Sequence, residues 1–149
     1  MDSGNILARI ERDLSVSEDA MRSTPTLPPR AQAIADGALV AVERGISSEA
    51  GWKVPVAITR AAWDDCVAWS DEDSNRQCPQ DETGRLWDVL WMTMARIRGQ
   101  RFRTEFYAEL YRVPRDGRST AAKLVRLHCG IGPGDEGEAV ITIRQADEV

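Results

Sequence analysis

Residues 101–111 read RFRTEFYAELY, a stretch in which apolar and polar side chains alternate. Successive side chains of an extended strand point to opposite faces, so a period of two places Phe106, Ala108 and Leu110 on one face. Tyr107 and its polar neighbours then occupy the other face. The pattern predicts a long strand with one face buried against a core.

Two further stretches continue this pattern toward the C-terminus. Residues 123–129 and 139–144 are rich in Val, Leu and Ile and have the length of strands. The pair Asp116–Gly117 favours a tight turn between the first two strands. The glycine-rich residues 130–137 predict a loop between the last two strands. The C-terminal half therefore reads as an antiparallel meander.

Residues 84–98 carry the strongest helical pattern of the chain. Leu86, Leu90 and Met94 recur at every fourth position, and tryptophans beside them widen the apolar stripe beyond half of the circumference. We expect this helix to be central and to be covered on two sides.

A second helix is predicted from Arg60 to Trp69, where Thr59 is a good N-cap. Before it, residues 38–42 and 54–58 have the composition of short strands, and Pro55 limits the latter to a sheet edge or to the start of a strand. These elements predict an α+β fold, an antiparallel three- to four-stranded meander with two or three helices packed on one face.

The first thirty residues differ in character from the rest. Residues 6–14 place three apolar side chains on one helical stripe, and the Ser- and Pro-rich residues 15–30 predict a linker in which the prolines forbid helix. The short helix could pack on the domain, fray, or form a homodimer through residues 6–14. We expect a single compact domain over residues 31–149.

Composition excludes several classes of protein. The chain has 149 residues, of which 42% are hydrophobic and 29% are charged, and its net charge is −5. These values fit one globular domain and argue against a broadly basic nucleic-acid-coating protein. No apolar run reaches the ~18 residues of a membrane span, so we expect no membrane association. We also expect no secretory signal, and three cysteines without a close pair indicate the reducing cytoplasm.

Four segments of the chain are distinctive in combination. The most specific is the tryptophan-rich DETGRLWDVLWM of residues 81–92, and the others are Val54–Trp63, Tyr111–Gly117 and Ile131–Asp135. Together they resemble a bacterial family of unknown function that is encoded largely on plasmids, phages and integrated elements. The resemblance implies an origin in a mobile element and no known catalytic residue. By analogy, accessory proteins of such elements often bind host machinery, including defence complexes.

Catalytic and metal-binding patterns are weak. Residues 71–82 place oxygen ligands at four positions of a calcium loop, but Arg76 occupies the position that needs glycine. The cysteines lack the spacing of a zinc site, and no Gly-x-Ser-x-Gly nucleophile motif is present in the sequence. We therefore predict a non-enzymatic protein with no cofactor and no bound metal.

The five tryptophans divide into two groups. Trp63, Trp87 and Trp91 fall on apolar helical stripes and are expected in the core. Trp69 ends its helix beside an acidic stretch, and Trp52 follows a glycine. Either of these two would be an interface anchor if it were exposed.

Charge is distributed unevenly along the chain. Residues 64–88 hold eight acidic and two basic residues, a net charge of −6, and residues 71–81 within them predict a polar loop. Such a cluster fits a basic groove on a partner protein, including one that normally holds nucleic acid. We predict binding to a host protein complex, such as a CRISPR-type defence complex that it would inhibit. The candidate partner-binding residues are Trp69, Asp71, Glu72, Asp73, Asp81, Glu82, Tyr107 and Tyr111.

Two alternative functions stay open. Residues 89–104 contain four arginines and no acid, which could contact the phosphates of a nucleic acid. These are Arg96, Arg98, Arg101 and Arg103. The other alternative is a small enzyme that uses His128, the only histidine, with Arg126 and a carboxylate such as Glu109.

Overall fold

The computed structural model describes residues 27–99 and 103–149. The chain divides into two units, residues 1–32 and residues 33–149, and every described strand belongs to the second. The predicted helix of residues 6–14 lies outside the described residues, as does the predicted linker up to residue 26. Within the described part of the chain, no helix is long and apolar enough to cross a membrane.

Five helices and five strands make up the described chain. The helices are α1 (Pro29–Asp36), α2 (Arg44–Glu49), α3 (Arg60–Cys66), α4 (Asp71–Arg76) and α5 (Glu82–Ile97). The strands are β1 (Leu39–Ala41), β2 (Val56–Thr59), β3 (Glu105–Arg112), β4 (Lys123–Pro133) and β5 (Ala139–Gln145). A short 3-10 turn over Ala146–Glu148 follows β5.

The strands form one mixed sheet in the order β1-β2-β5-β4-β3. β3, β4 and β5 make the predicted antiparallel meander, with Ala108 opposite Leu127 and Cys129 opposite Ile143. The α+β class is confirmed. The expectation of a purely antiparallel sheet of three or four strands is wrong, because β2 pairs in parallel with β5 and brings β1 into the same sheet.

β2 lies inside the sheet, between β1 and β5, and Pro55 stands directly before its first residue. Pro55 lies outside the strand, and its carbonyl accepts a hydrogen bond from the Ile141 amide at 2.8 Å. The missing N–H of Pro55 therefore removes no bond from β2. Thr59 ends the strand and caps α3 as predicted, its Oγ1 accepting from the Ala62 amide at 3.2 Å.

The core lies between the sheet and the helices α3 and α5. Leu86, Leu90 and Met94 are buried there, as their spacing predicts. The expectation that α5 is covered on two sides is wrong, because Trp91 is 49% exposed and Met92 is 40% exposed. The core covers one flank of the helix only, and the apolar positions beyond it face solvent.

The stretch predicted as a polar loop contains the helix α4. Its first turn is stabilised by a capping box in which the Ser70 Oγ accepts from the Asp73 amide, while the Asp73 carboxylate accepts from the Ser70 amide. Polar composition alone indicated a loop, whereas this reciprocal cap satisfies two backbone donors of the first turn and favours a helix.

Two other predicted boundaries also shift. The loop expected from residue 130 begins only after Pro133, because β4 continues opposite β5 as far as the pair Pro133 and Ala139. Gly137, with φ of +83°, adopts the left-handed backbone that the tight connection needs. Helix α1 begins at Pro29, within the predicted linker, because a proline is well tolerated in the first turn of a helix.

Candidate interaction surfaces

The predicted acidic loop presents its carboxylates in two ways. Asp71 and Glu72 are exposed on the first turn of α4, and Glu72 pairs with Arg76 at 3.1 Å. Asp73 is instead held by Arg115, whose Nε donates to its Oδ2 at 2.7 Å. Partial desolvation raises the pKa of Asp73, but the hydrogen bonds from Arg115 and Ser70 outweigh this effect and lower that pKa.

The start of α5 also contains one acidic residue that caps the helix and one that is exposed to solvent. Asp81 is the N-cap of α5 and accepts a hydrogen bond from the Gly84 amide at 2.6 Å. Glu82, the first residue of the helix, is exposed. Of the predicted acidic residues, Asp71, Glu72 and Glu82 therefore project to solvent, whereas Asp73 and Asp81 also shape the backbone.

Trp69 is not an exposed anchor. It is only 7% exposed, its Nε1 donates to the Ser74 Oγ at 3.0 Å, and the Arg85 guanidinium lies 4.6 Å from its ring centroid. Trp69 is buried because α4 follows it closely in the chain and Ser74 on that helix accepts a hydrogen bond from the indole N–H. Trp52 is also buried, and its Nε1 donates to the Leu90 carbonyl at 3.3 Å.

Arg85 is the buried support of this region, which the sequence pattern did not single out. Its guanidinium donates to the carbonyl oxygens of Val67 at 3.1 Å, Val113 at 2.9 Å and Asp65 at 3.0 Å, and to the Gln80 side chain at 2.8 Å. Desolvation by burial lowers the pKa of Arg85. The side chain thereby fixes the start of α5 against the end of α3 and the segment after β3.

Asp65 makes a second connection between α3 and the sheet. It pairs with Arg112 on β3 through contacts of 3.0 and 3.1 Å, and it accepts from the side-chain Nε2 of Gln145 on β5 at 2.8 Å. Burial raises the pKa of Asp65, but the hydrogen bonds from Gln145 and Arg112 outweigh it and lower that pKa.

Trp87, which is half-buried against the core, stacks on the exposed Trp91, with ring centroids 6.0 Å apart and planes inclined by 21°. A groove of about 460 Å³ lies beside Trp87 and is also lined by Asp81 and Asp88. We call these four residues the tryptophan surface. An exposed indole rimmed by charged groups is typical of an interaction site.

The sequence assigned Trp91 to the core because the apolar stripe of α5 exceeds half of the helix. The exposure of Trp91 could have been predicted from its angular position on the helix. Trp87 and Trp91 each follow Leu86 and Leu90 by one residue, which places them about 100° of helical rotation from the buried leucines. A stripe that wide needs a second covering layer, and the described residues provide none over Trp91, which is 49% exposed.

Tyr107 and Tyr111 share the open face of β3 but differ in exposure. The Arg126 guanidinium lies 3.9 Å from the centroid of the Tyr107 ring, and the His128 ring meets it edgewise at 5.2 Å. Tyr111 is 69% exposed and stands opposite Leu124, which is 52% exposed. The Tyr111 ring is thus accessible to a partner, whereas the Tyr107 ring is already in contact with Arg126 and His128.

The predicted arginine cluster is divided between two places. Arg96 and Arg103 line a groove of about 530 Å³ at the edge of β3, where Arg96 Nε donates to the Tyr107 carbonyl at 3.1 Å. Arg98 lies against Gly51 instead, where a Cβ would come within 3.3 Å of its Nη2. Arg101 lies outside the described residues.

His128 lines the same groove and pairs with Glu105 rather than with Glu109. Its Nε2 lies 3.0 Å from the Glu105 Oε1, and its Nδ1 is buried without a hydrogen-bond partner. Because one ring nitrogen is engaged and the other is covered, the imidazole offers no free nitrogen to a molecule in the groove. Glu109 lines a neighbouring groove with Arg96 and Arg126.

The cysteines do not supply a reactive group beside His128. Cys129 lies on the opposite face of β4, and burial raises its pKa to about 12. Burial and the nearby Asp65 carboxylate likewise raise the pKa of Cys66 to about 12. Among the residues that the structure describes, no three His, Cys, Asp or Glu side chains are grouped so that they could hold a metal ion.

Comparison with known proteins identifies the family. A family model described as "Family of unknown function (DUF6573)" matches residues 26–148, which include the whole sheet and the tryptophan surface. No curated protein and no solved structure matches the chain. Because the match covers well over half of the sequence, the chain belongs to DUF6573, a family of unknown function.

Proposed function

We propose that this chain acts without catalysing a reaction, by binding a protein partner through the tryptophan surface. The observation that carries the proposal is the exposed Trp91, stacked on the half-buried Trp87 beside a groove lined by Asp81 and Asp88. Tryptophan is enriched among the residues that dominate protein interfaces, because a large indole removes much apolar surface from water when a partner covers it.

Charge indicates the chemistry of the partner. Asp81 and Asp88 rim the groove, and Asp71, Glu72 and Glu82 add exposed carboxylates on the two neighbouring helices. An acidic surface of this kind favours a basic partner surface and accelerates encounter with it at low ionic strength. We propose that the partner is a host complex whose basic groove normally holds nucleic acid.

The resemblance to proteins of mobile elements supports a more specific form of the proposal. In that form, the chain inhibits a host defence complex of the CRISPR type, in the cytoplasm, by occupying its basic groove. Tyr111 supplies a second contact from the open face of the sheet, with Tyr107 beside it. Asp73 contributes indirectly, by holding α4 through its cap and its bond to Arg115.

The test is affinity capture from the natural host, followed by mass spectrometry, with three forms of the chain. We expect wild type and Trp91→Phe to capture the same complex and Trp91→Ala to lose it, because phenylalanine keeps an aromatic ring at the surface. Circular dichroism should show that all three are folded, since the Trp91 side chain is half exposed. Equal capture by wild type and Trp91→Ala would refute the proposal.

Charge reversal separates the contribution of the acidic residues. Asp71→Lys with Glu72→Lys should slow association strongly at low salt and weakly at high salt, since both carboxylates are exposed. Asp73 is unsuitable for this test because its replacement would also remove the capping box. An association rate that the double variant leaves unchanged would exclude α4 from the interface.

A further inference from the structure

The groove at the edge of β3 collects arginines from three parts of the fold. Arg96 comes from α5, Arg103 stands just before β3, and Arg126 lies on β4. The groove measures about 530 Å³, and a neighbouring groove of about 490 Å³ shares Arg96 and Arg126 with it. This concentration of arginine is notable in a chain whose net charge is −5.

Two of the three guanidinium groups are positioned by Tyr107, those of Arg96 and Arg126. Arg96 uses its Nε for the Tyr107 carbonyl, which leaves both of its terminal amino groups free to donate. Arg126 rests on the Tyr107 ring at 3.9 Å. Within the described residues, neither Arg103 nor Arg126 forms a hydrogen bond or an ion pair. Guanidinium groups that form no ion pair keep their donors available to an anion.

His128 adds an independent observation at the same place. Its side chain is about 5% exposed and lines the groove, and its buried Nδ1 has no hydrogen-bond partner. A buried polar atom without a partner costs free energy, and such atoms are uncommon in folded proteins. Because this nitrogen is covered, it does not itself contact a molecule in the groove, and the arginines carry the binding.

From this geometry we propose that the groove binds a phosphate group through Arg96, Arg103 and Arg126. A phosphate presents three or more oxygens in different directions, which suits donors arriving from three elements, whereas a carboxylate presents only two. Stacking of a nucleobase on Tyr107 is disfavoured, because Arg126 covers one face of that ring. Recognition is therefore of the phosphate itself.

Two carboxylates lower the affinity of the groove for an anion. Removing one of them therefore provides a variant that should bind an anion more tightly than wild type. Glu105 lines the groove itself and is turned toward His128, and Glu109 lines the neighbouring groove with Arg126. Each lowers the affinity for an anion by repulsion. Removing the charge of Glu109 should therefore tighten binding, a result that a merely structural role for the arginines would not produce.

The experiment titrates the full chain with inorganic phosphate and with pyrophosphate, and follows backbone NMR shifts at low ionic strength. We expect saturable shifts at millimolar concentration, centred on β3 and β4. Arg126→Gln and Arg103→Gln should each weaken binding about tenfold or more, a fold-change typical of a lost charge-assisted hydrogen bond. Glu109→Gln should strengthen it, and Arg98→Gln, the matched control beside Gly51, should leave it unchanged.

A second arm distinguishes the two sources of phosphate. Tighter binding of a short single-stranded oligonucleotide, with a steep salt dependence, would support the proposal with a phosphodiester backbone as the source. Binding of a mononucleotide that equals or exceeds the oligonucleotide would support a small phosphorylated ligand. The proposal is overturned if no probe gives saturable shifts, or if Arg126→Gln and Arg103→Gln bind like wild type while spectra show them folded.

Discussion

Replacing Arg85 by methionine should lower the free energy of unfolding by about 3 to 4 kcal/mol. The guanidinium makes four hydrogen bonds, three of them to backbone carbonyls, and each is worth about 1 kcal/mol net. Methionine restores part of the apolar packing against Trp69 but leaves the carbonyls of Val67, Val113 and Asp65 without their donor. Replacing a buried ion pair by apolar groups often leaves the stability unchanged. Here the substitution is destabilising, because the carbonyl acceptors remain buried without a donor.

Urea denaturation followed by tryptophan fluorescence measures this change. We expect Arg85→Met to shift the midpoint to lower urea with little change in slope, since the same surface is exposed on unfolding. Arg85→Lys is the matched control, because it keeps the charge but cannot reach four acceptors with one ammonium group, and it should lose about half as much. If Arg85→Met stays within about 0.5 kcal/mol of wild type, Arg85 does not hold this region together.

Three more predictions concern stability and thiol chemistry. Asp65→Asn should cost about 2 kcal/mol at pH 7. Because folding lowers the pKa of Asp65 below 3.8, this difference should shrink in unfolding curves as the pH falls below that value. Ellman's reagent should label Cys78 in the native chain but reach Cys66 and Cys129 only after unfolding, since both are buried with pKa values raised to about 12. Gly51→Ala should lower the unfolding free energy by about 1 to 2 kcal/mol, because its φ is +104°.

Local patterns predicted much of the fold. The alternation around Phe106 predicts β3, the spacing of Leu86 and Leu90 predicts α5, and Thr59 predicts the start of α3. Each of these signals depends on residues close together in the chain. The parallel pairing of β2 with β5 could not be predicted in this way, because Ile58 and Ile143 are 85 positions apart and each only reads as a buried strand residue.

The candidate surface was predicted less well, for a physical reason. Trp69 stands at the end of its predicted helix and Trp91 on the wide apolar stripe of α5, and at neither position does the sequence tell which layer covers the indole. Trp69 is covered because α4 and Arg85 close over it, whereas Trp91 faces outward. Composition predicted an acidic cluster, but only the structure separates Asp73 and Asp81, which cap helices, from the exposed Asp71 and Glu72.

The central claim is that the tryptophan surface binds a protein partner, and the most direct test is the dissociation constant of the captured complex. We expect Trp91→Ala to weaken the complex by about 30-fold or more, the effect of losing an interface residue worth at least about 2 kcal/mol. Trp91→Phe should bind within severalfold of wild type. A tryptophan that dominates an interface cannot be truncated without a large loss of affinity. A dissociation constant for Trp91→Ala within about twofold of wild type would therefore contradict the claim.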